Sequence, residues 1–182
     1  MPNMSSHMAI AKKVSEILDF NSDDFYIGNL LPDLYTDKTK SHYKIEGKKY
    51  LIPNIEYVKK TMDLKSMKNL GYLSHLLLDK YYLEDFLIEI KEDVFKGDTL
   101  YNDYDILNKD IVEYFSLDVE NLTKILFNIN DDISNDKLKY NLMCLTKNIK
   151  GKTAYLDKEK FIIFLDETSY KIASELKEYI IK

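Results

Sequence analysis

The chain holds one cysteine, Cys144, in 182 residues, which excludes an intramolecular disulfide framework and a thiolate zinc cluster. Cys144 reads as a small buried hydrophobe. Proline (3) and glycine (5) are scarce as well, while Leu, Ile, Lys, Glu and Asp abound, a balance that disfavours a turn-rich β-sandwich and favours helices. No apolar run approaches the ~18 residues of a membrane span. The N-terminus also lacks a charged region followed by an apolar one, so the expected location is cytoplasmic. There is no basic block, and the formal charge is −5. That excludes a dedicated nucleic-acid-binding surface, though not a nuclease whose metal ions contact phosphate. Histidine is the last scarcity: the three present, His7, His42 and His75, all lie in the first 75 residues.

What is present suits a single globular domain over residues 1–182, with 45% apolar and 31% charged residues. Hydrophobic periodicity makes it all-α, a multi-helix bundle. Ser5 or Ser6 can cap a first helix whose stripe is Met8, Ala11, Val14, Ile17 and Leu18. His7 then falls in its first turn, where the backbone amides disfavour an imidazolium and keep the ring able to ligate a metal. Asn21 to Asp24 reads as turn and cap before a short apolar segment, Phe25 to Leu31. Pro32 should push Leu31 out of helical geometry, leaving Asp33 after a forced change of direction. Thr36 to Lys49 reads as a Lys-rich loop, in which His42 would ordinarily be solvated. A helix starts at Asn54, and a long central helix is predicted from Lys68 to Lys91. Beyond it, helices are expected in the second half of Leu100 to Phe115, and over Glu120 to Asn128, Lys137 to Ile149 and Lys158 to Ile181. Phe161, Ile162, Phe164, Leu165, Ile172 and Leu176 are core candidates.

The stretch Gly71-Tyr-Leu-Ser-His-Leu-Leu-Leu-Asp79 organises the rest. His75 and Asp79 stand four residues apart and share a helix face with Tyr72, Tyr82 and Phe86, opposite the solvent stripe Lys80, Glu84, Lys91. Two ionisable groups therefore face inward, where each needs a partner. Either they form a private hydrogen-bonded pair or they hold a metal. Imidazoles and carboxylates together suit zinc, and a carboxylate with two oxygens can bridge two ions.

Four segments, in order, carry a resemblance: His7; Gly28-Asn-Leu-Leu-Pro-Asp33; Ser41-His42-Tyr43; and Gly71 to Asp79. The set resembles the zinc-dependent phospholipase C and P1 nuclease superfamily, and more narrowly its small uncharacterised bacterial branch. That resemblance covers about the first 80 residues and implies an all-helical hydrolase that cleaves phosphodiesters with up to three zinc ions. It implies Asp33, His42, His75 and Asp79 as ligands of one zinc, and His7 with bridging Asp79 as part of a neighbouring site. In relatives an N-terminal amine five residues before the first His completes the neighbouring site. Here that position is Pro2, available only once Met1 is removed.

The chain departs from the family where a further His should follow the bridging Asp by six residues. Asp85 stands there, and no later histidine exists to supply the usual downstream pair. Asp103, Asp105 and Asn108 are the nearby polar residues that could rebuild a site from oxygen, or that could simply form a turn and cap. Asp33 is expected to orient or deprotonate the attacking water, with Tyr43, Tyr72 and Tyr82 as neighbouring donors or pocket walls. No Lys or Arg is evidently committed to the site, so the metals would supply the charge stabilisation of phosphoester hydrolysis. The competing expectation is a metal-stabilised, catalytically reduced helical binding or scaffold protein. A phosphohydrolase built on adjacent His-Asp residues is disfavoured, because no His-Asp dipeptide occurs.

Overall fold

The structure is a computed structural model and describes residues 2–87, 99–129 and 131–180. Among these residues there are nine α-helices and no strand. They are α1 (Met4–Ile17), α2 (Asp23–Leu34), α3 (Lys38–Ser41), α4 (Ile55–Thr61), α5 (Met67–Tyr81), α6 (Thr99–Tyr114), α7 (Val119–Phe127), α8 (Asn135–Thr146) and α9 (Lys158–Ile180). The fold is all-α, as the periodicity indicates. Helix starts follow local chemistry: Ser22, Asn54, Ser66, Asp118 and Ser134 each accept a hydrogen bond from the backbone N–H three residues on.

Four boundaries differ from the sequence expectation. The first helix is capped by Asn3, not by Ser5 or Ser6. Its Oδ1 accepts from the Ser6 N–H (3.2 Å) and from both serine hydroxyls (3.0 and 2.8 Å), so the serines serve the cap and the helix starts earlier. Secondly, Pro32 does not end its helix; α2 runs on to Leu34. Proline removes one backbone donor, whereas Leu30, Leu31 and Leu34 are all buried, and their packing outweighs the preference of the residue before proline. Thirdly, α6 is helical from Thr99, because its buried stripe already begins at Leu100 and continues through Tyr104, Leu107 and Ile111. Lastly, α8 stops at Thr146, three residues before Ile149. α9 follows expectation to Ile180, and Ile181 lies outside the described residues.

The central helix changes pitch. α5 passes into a π-helical turn, Tyr82–Phe86, and residues 88–91, Lys91 included, lie outside the described residues. Such wide turns accommodate bulky neighbours. Here Tyr82 and Phe86 stack at 5.6 Å and meet Phe161 and Phe164 of α9. The core candidates on α9 are buried, with Phe164 half-buried, and each fully buried Phe or Leu contributes roughly 1.5–3 kcal/mol.

The pairing that places the site is α2 against α5, the most extensive helix contact among the described residues. Two glycines permit it. A Cβ on Gly28 would lie 1.8 Å from the Lys68 carbonyl oxygen, and one on Gly71 would lie 2.1 Å from that of Phe25. Both are backbone clashes that no rotamer relieves, so only glycine allows this approach. Gly71, His75 and Asp79 recur every four residues, and the stripe that touches α2 therefore continues directly into the polar pair. No helix among the described residues is long and apolar enough to cross a membrane.

Candidate metal centre

Three helices and one loop position deliver His7, Asp33, His42, His75 and Asp79 to one point in the core. His7 comes from the first turn of α1, Asp33 from the last turn of α2, and His75 and Asp79 from α5. His42 follows α3. It is fully buried, contrary to the solvated ring expected of a polar loop. The loop is pinned: the Ser41 hydroxyl donates to the Pro32 carbonyl (2.8 Å), and the Tyr72 hydroxyl donates to the Ser41 carbonyl. Tyr43 then takes a left-handed backbone (φ 48°) that turns the chain away, its ring against Tyr57 and Tyr72.

The imidazole protons can be assigned from their partners. His75 Nδ1 lies 2.7 Å from the Asn29 carbonyl oxygen, which can only accept, so Nδ1 carries the hydrogen. His42 Nδ1 lies 3.0 Å from both the Lys38 carbonyl and Ser41 Oγ. The Ser41 proton is already given to Pro32, so Oγ accepts too, and His42 is likewise protonated at Nδ1. In the neutral rings both Nε2 atoms then present lone pairs, yet they face each other at 3.2 Å. Asp79 Oδ2 stands 3.2 Å from His75 Nε2 and 3.5 Å from His42 Nε2, and Asp33 Oδ1 stands 3.7 Å from His42 Nε2. On its other side Asp79 Oδ1 faces His7 Nε2 at 3.6 Å, and the His7 and His75 rings stack at 3.7 Å.

Lone pairs and carboxylate oxygens converging without a proton between them repel one another unless a cation lies among them. The accounting of polar atoms agrees. Both nitrogens of His7 and both oxygens of Asp79 are buried and lack a hydrogen-bond partner. Two ligand sets result, His7 with His75 and Asp79, and Asp33 with His42 and His75. Nitrogen and oxygen donors of this kind, oriented by carbonyls behind the histidines, fit zinc.

Electrostatics follow from burial. His7 is driven down to about 3 by burial and by His75, only partly offset by Asp79, and His42 to about 4 by burial and His75. Both are neutral and able to ligate. Burial opposes protonation of His75 also, but the Asp79 carboxylate prevails and raises it. Burial would raise Asp33, yet His75 and Lys38 hold it well below the usual carboxylate range.

A cleft of about 240 Å³ reaches this cluster from outside. Its lining includes Asp33 and Lys38, Tyr101 and Tyr104 of α6, and Tyr140 of α8. Asp33 alone of the five is partly open, its side chain 10% exposed against 0% for His7, His42, His75 and Asp79. Pro2 is buried and lines the same cleft, while Met1 lies outside the described residues.

The family model described as zinc dependent phospholipase C matches residues 6–81, the segment that contains all five residues. Over that N-terminal segment the chain is similar to the zinc-dependent phospholipase C family. No curated protein and no solved structure matches the chain. The match and the two His/Asp groups support a zinc site of that family's kind.

The family's additional site is not rebuilt by the residues nominated from sequence. Asp85 is exposed and pairs with Lys171 at 3.1 Å. Asp103 accepts three backbone N–H bonds, from Ala154, Tyr155 and Leu156 (2.8, 2.7 and 2.9 Å). Asp105 binds Lys147 at 2.6 Å, and Asn108 donates to the carbonyls of Leu145 and Lys147. All three fasten α6 to its neighbours. Tyr82 is used in packing: its hydroxyl accepts from Tyr104. Sequence reasoning missed Asn29, Gly28 and Lys38. The first two sit inside the motif Gly28 to Asp33, where their adjacency to Asp33 was the available signal. Lys38 carried no signal, because nothing in a Lys-rich loop marks one lysine as facing inward. The expectation that no lysine serves the site is corrected: Lys38 Nζ lies 2.8 Å from Asp33 Oδ1.

Proposed function

We propose that this protein is a zinc-dependent phosphoesterase, with Asp33, His42, His75 and Asp79 holding one ion and Asp79 and His7 contributing to a second. The observation that carries the reading is the convergence of His42 and His75 Nε2 at 3.2 Å beside Asp79, whose two oxygens, like both nitrogens of His7, are buried without a hydrogen-bond partner. Asp79 suits a bridge, since its two oxygens face different partners, Oδ1 toward His7 and Oδ2 toward His42 and His75. Asn29 and Lys38 hold the two imidazoles in the required tautomer through their carbonyls. Zinc, when bound, supplies Lewis acidity and brings the pKa of a coordinated water to about 7.

Asp33 is the residue we assign to orienting the attacking water and accepting its proton. It is the cluster member that meets the cleft. Tyr101 and Tyr140 line the cleft and suit an organic substituent on the phosphoester. Phospholipid head group, nucleic acid and small phosphoester are all admissible substrates, in a cytoplasmic, single-domain protein.

A second reading has an observation in its favour. Four of the five groups are fully buried, as in closed structural zinc sites, which fits a metal-stabilised scaffold without turnover. Assay of zinc-loaded protein on bis-p-nitrophenyl phosphate, p-nitrophenyl phosphorylcholine and single-stranded nucleic acid separates the two. Turnover abolished in Asp33→Asn is the result expected of the enzyme. Zinc-dependent stability with no turnover on any of them would leave the scaffold.

A further inference from the structure

We infer that Lys38 is a phosphoryl-binding residue, the protein-borne cation that completes the site beside the metal cluster. This rests on the phosphoesterase reading above and adds to it the group that meets the substrate's phosphoryl oxygens.

The chain contains no arginine; all 26 of its basic residues are lysine. A planar fork for bidentate phosphate recognition is therefore absent, and any side-chain cation for the anion must be an ammonium. Two lysines line the cleft, Lys38 and Lys137. Lys137 is turned to the Tyr35 carbonyl, 2.6 Å away. Lys38 instead reaches Asp33 Oδ1, the oxygen that also faces His42 Nε2, while its side chain stays 47% exposed. It is thus one carboxylate away from the cluster and still open to a ligand in the cleft.

Its backbone is committed separately. The Lys38 carbonyl orients His42 through Nδ1, so the side chain can be altered without removing that support. Asp33 is shared between the ammonium and the cluster. Were Asp33 to ligate a metal, its hold on Lys38 would weaken, leaving the ammonium to take a phosphoryl oxygen of an anion in the same cleft. The carboxylates that might have held a further metal are engaged elsewhere, Asp85 with Lys171 and Asp103 with three backbone amides.

The test uses zinc-loaded protein with inorganic phosphate as the probe, measured by titration calorimetry, alongside zinc content by elemental analysis. A charge-assisted hydrogen bond of this kind predicts that Lys38→Met weakens phosphate binding roughly 10- to 100-fold. Zinc content should stay at the wild-type value, and Lys38→Arg should recover most of the affinity. Phosphate binding unchanged in Lys38→Met overturns the inference and leaves the phosphoesterase reading standing. Loss of zinc in Lys38→Met overturns it as well, since the side chain would then serve only to hold Asp33. Wild-type protein that takes up zinc but binds no phosphate and cleaves no ester overturns both.

Discussion

Two buried aspartates, Asp79 on α5 and Asp103 on α6, have opposite surroundings. Asp103 is 1% exposed and accepts three backbone N–H bonds, enough to make a carboxylate comfortable in the interior. Asp79 is 0% exposed, accepts no hydrogen bond, and faces the Nε2 atoms of His7, His42 and His75 at 3.6, 3.5 and 3.2 Å. The first arrangement is complete as it stands and ties α6 to the segment before α9. The second is complete only with a cation. Burial of a charge alone therefore says nothing about function; the state of its lone pairs does.

The sharpest way to break the comparison is to remove metal. Chelation should destabilise the wild type by about 4 kcal/mol when zinc stands near 1,000 times its dissociation constant. Asp79→Ala should show a much smaller chelator-dependent shift, because the ion loses the carboxylate that faces His7 on one side and His42 and His75 on the other. Thermal melts with and without chelator measure this, and equal shifts in both proteins would contradict it. Asp103→Ala should behave in the opposite sense, losing about 3 kcal/mol in denaturant unfolding with or without zinc, while zinc content is unchanged.

The glycine contact offers a smaller effect that links fold and site. Gly71→Ala puts a methyl against the Phe25 carbonyl and should cost roughly 1–3 kcal/mol, with weaker zinc uptake because His75 and Asp79 shift together. An alanine variant with wild-type stability and zinc content would show that the helices can separate freely.

The smallest effect lies at the surface. Glu175 pairs with Lys59 at 2.7 Å and accepts from Tyr81; burial acts to raise its pKa, but these partners lower it. A lowered carboxylate pKa contributes stability that is present above the ordinary value near 4.5 and is lost as pH falls through the native value. Glu175→Gln should cost about 0.5–1 kcal/mol at pH 7, and the difference from wild type should vanish in acid. A pH-independent difference would mean the contact acts through packing.

Much of the fold could be read from the sequence because apolar periodicity dominates it: α4, α7 and α9 fall close to where their stripes predict. The errors came where tertiary packing overrode a local preference, at Pro32, or where a polar residue nearby competed for the cap, at Asn3. At the candidate centre, His75 and Asp79 could be paired from spacing alone, since four residues is one helical turn. His42 could not, because its burial depends on Ser41 and Tyr72 bonds that join distant segments. Lys38 was hidden for the same reason, its meaning residing in a contact with Asp33 that only the folded chain makes.

The most direct measurement of the central claim is anomalous scattering at the zinc edge from crystals of zinc-loaded protein. The account predicts a peak within about 2.0–2.2 Å of ligand atoms from Asp33, His42, His75 and Asp79. Zinc-loaded crystals with no anomalous density among these four residues would contradict it.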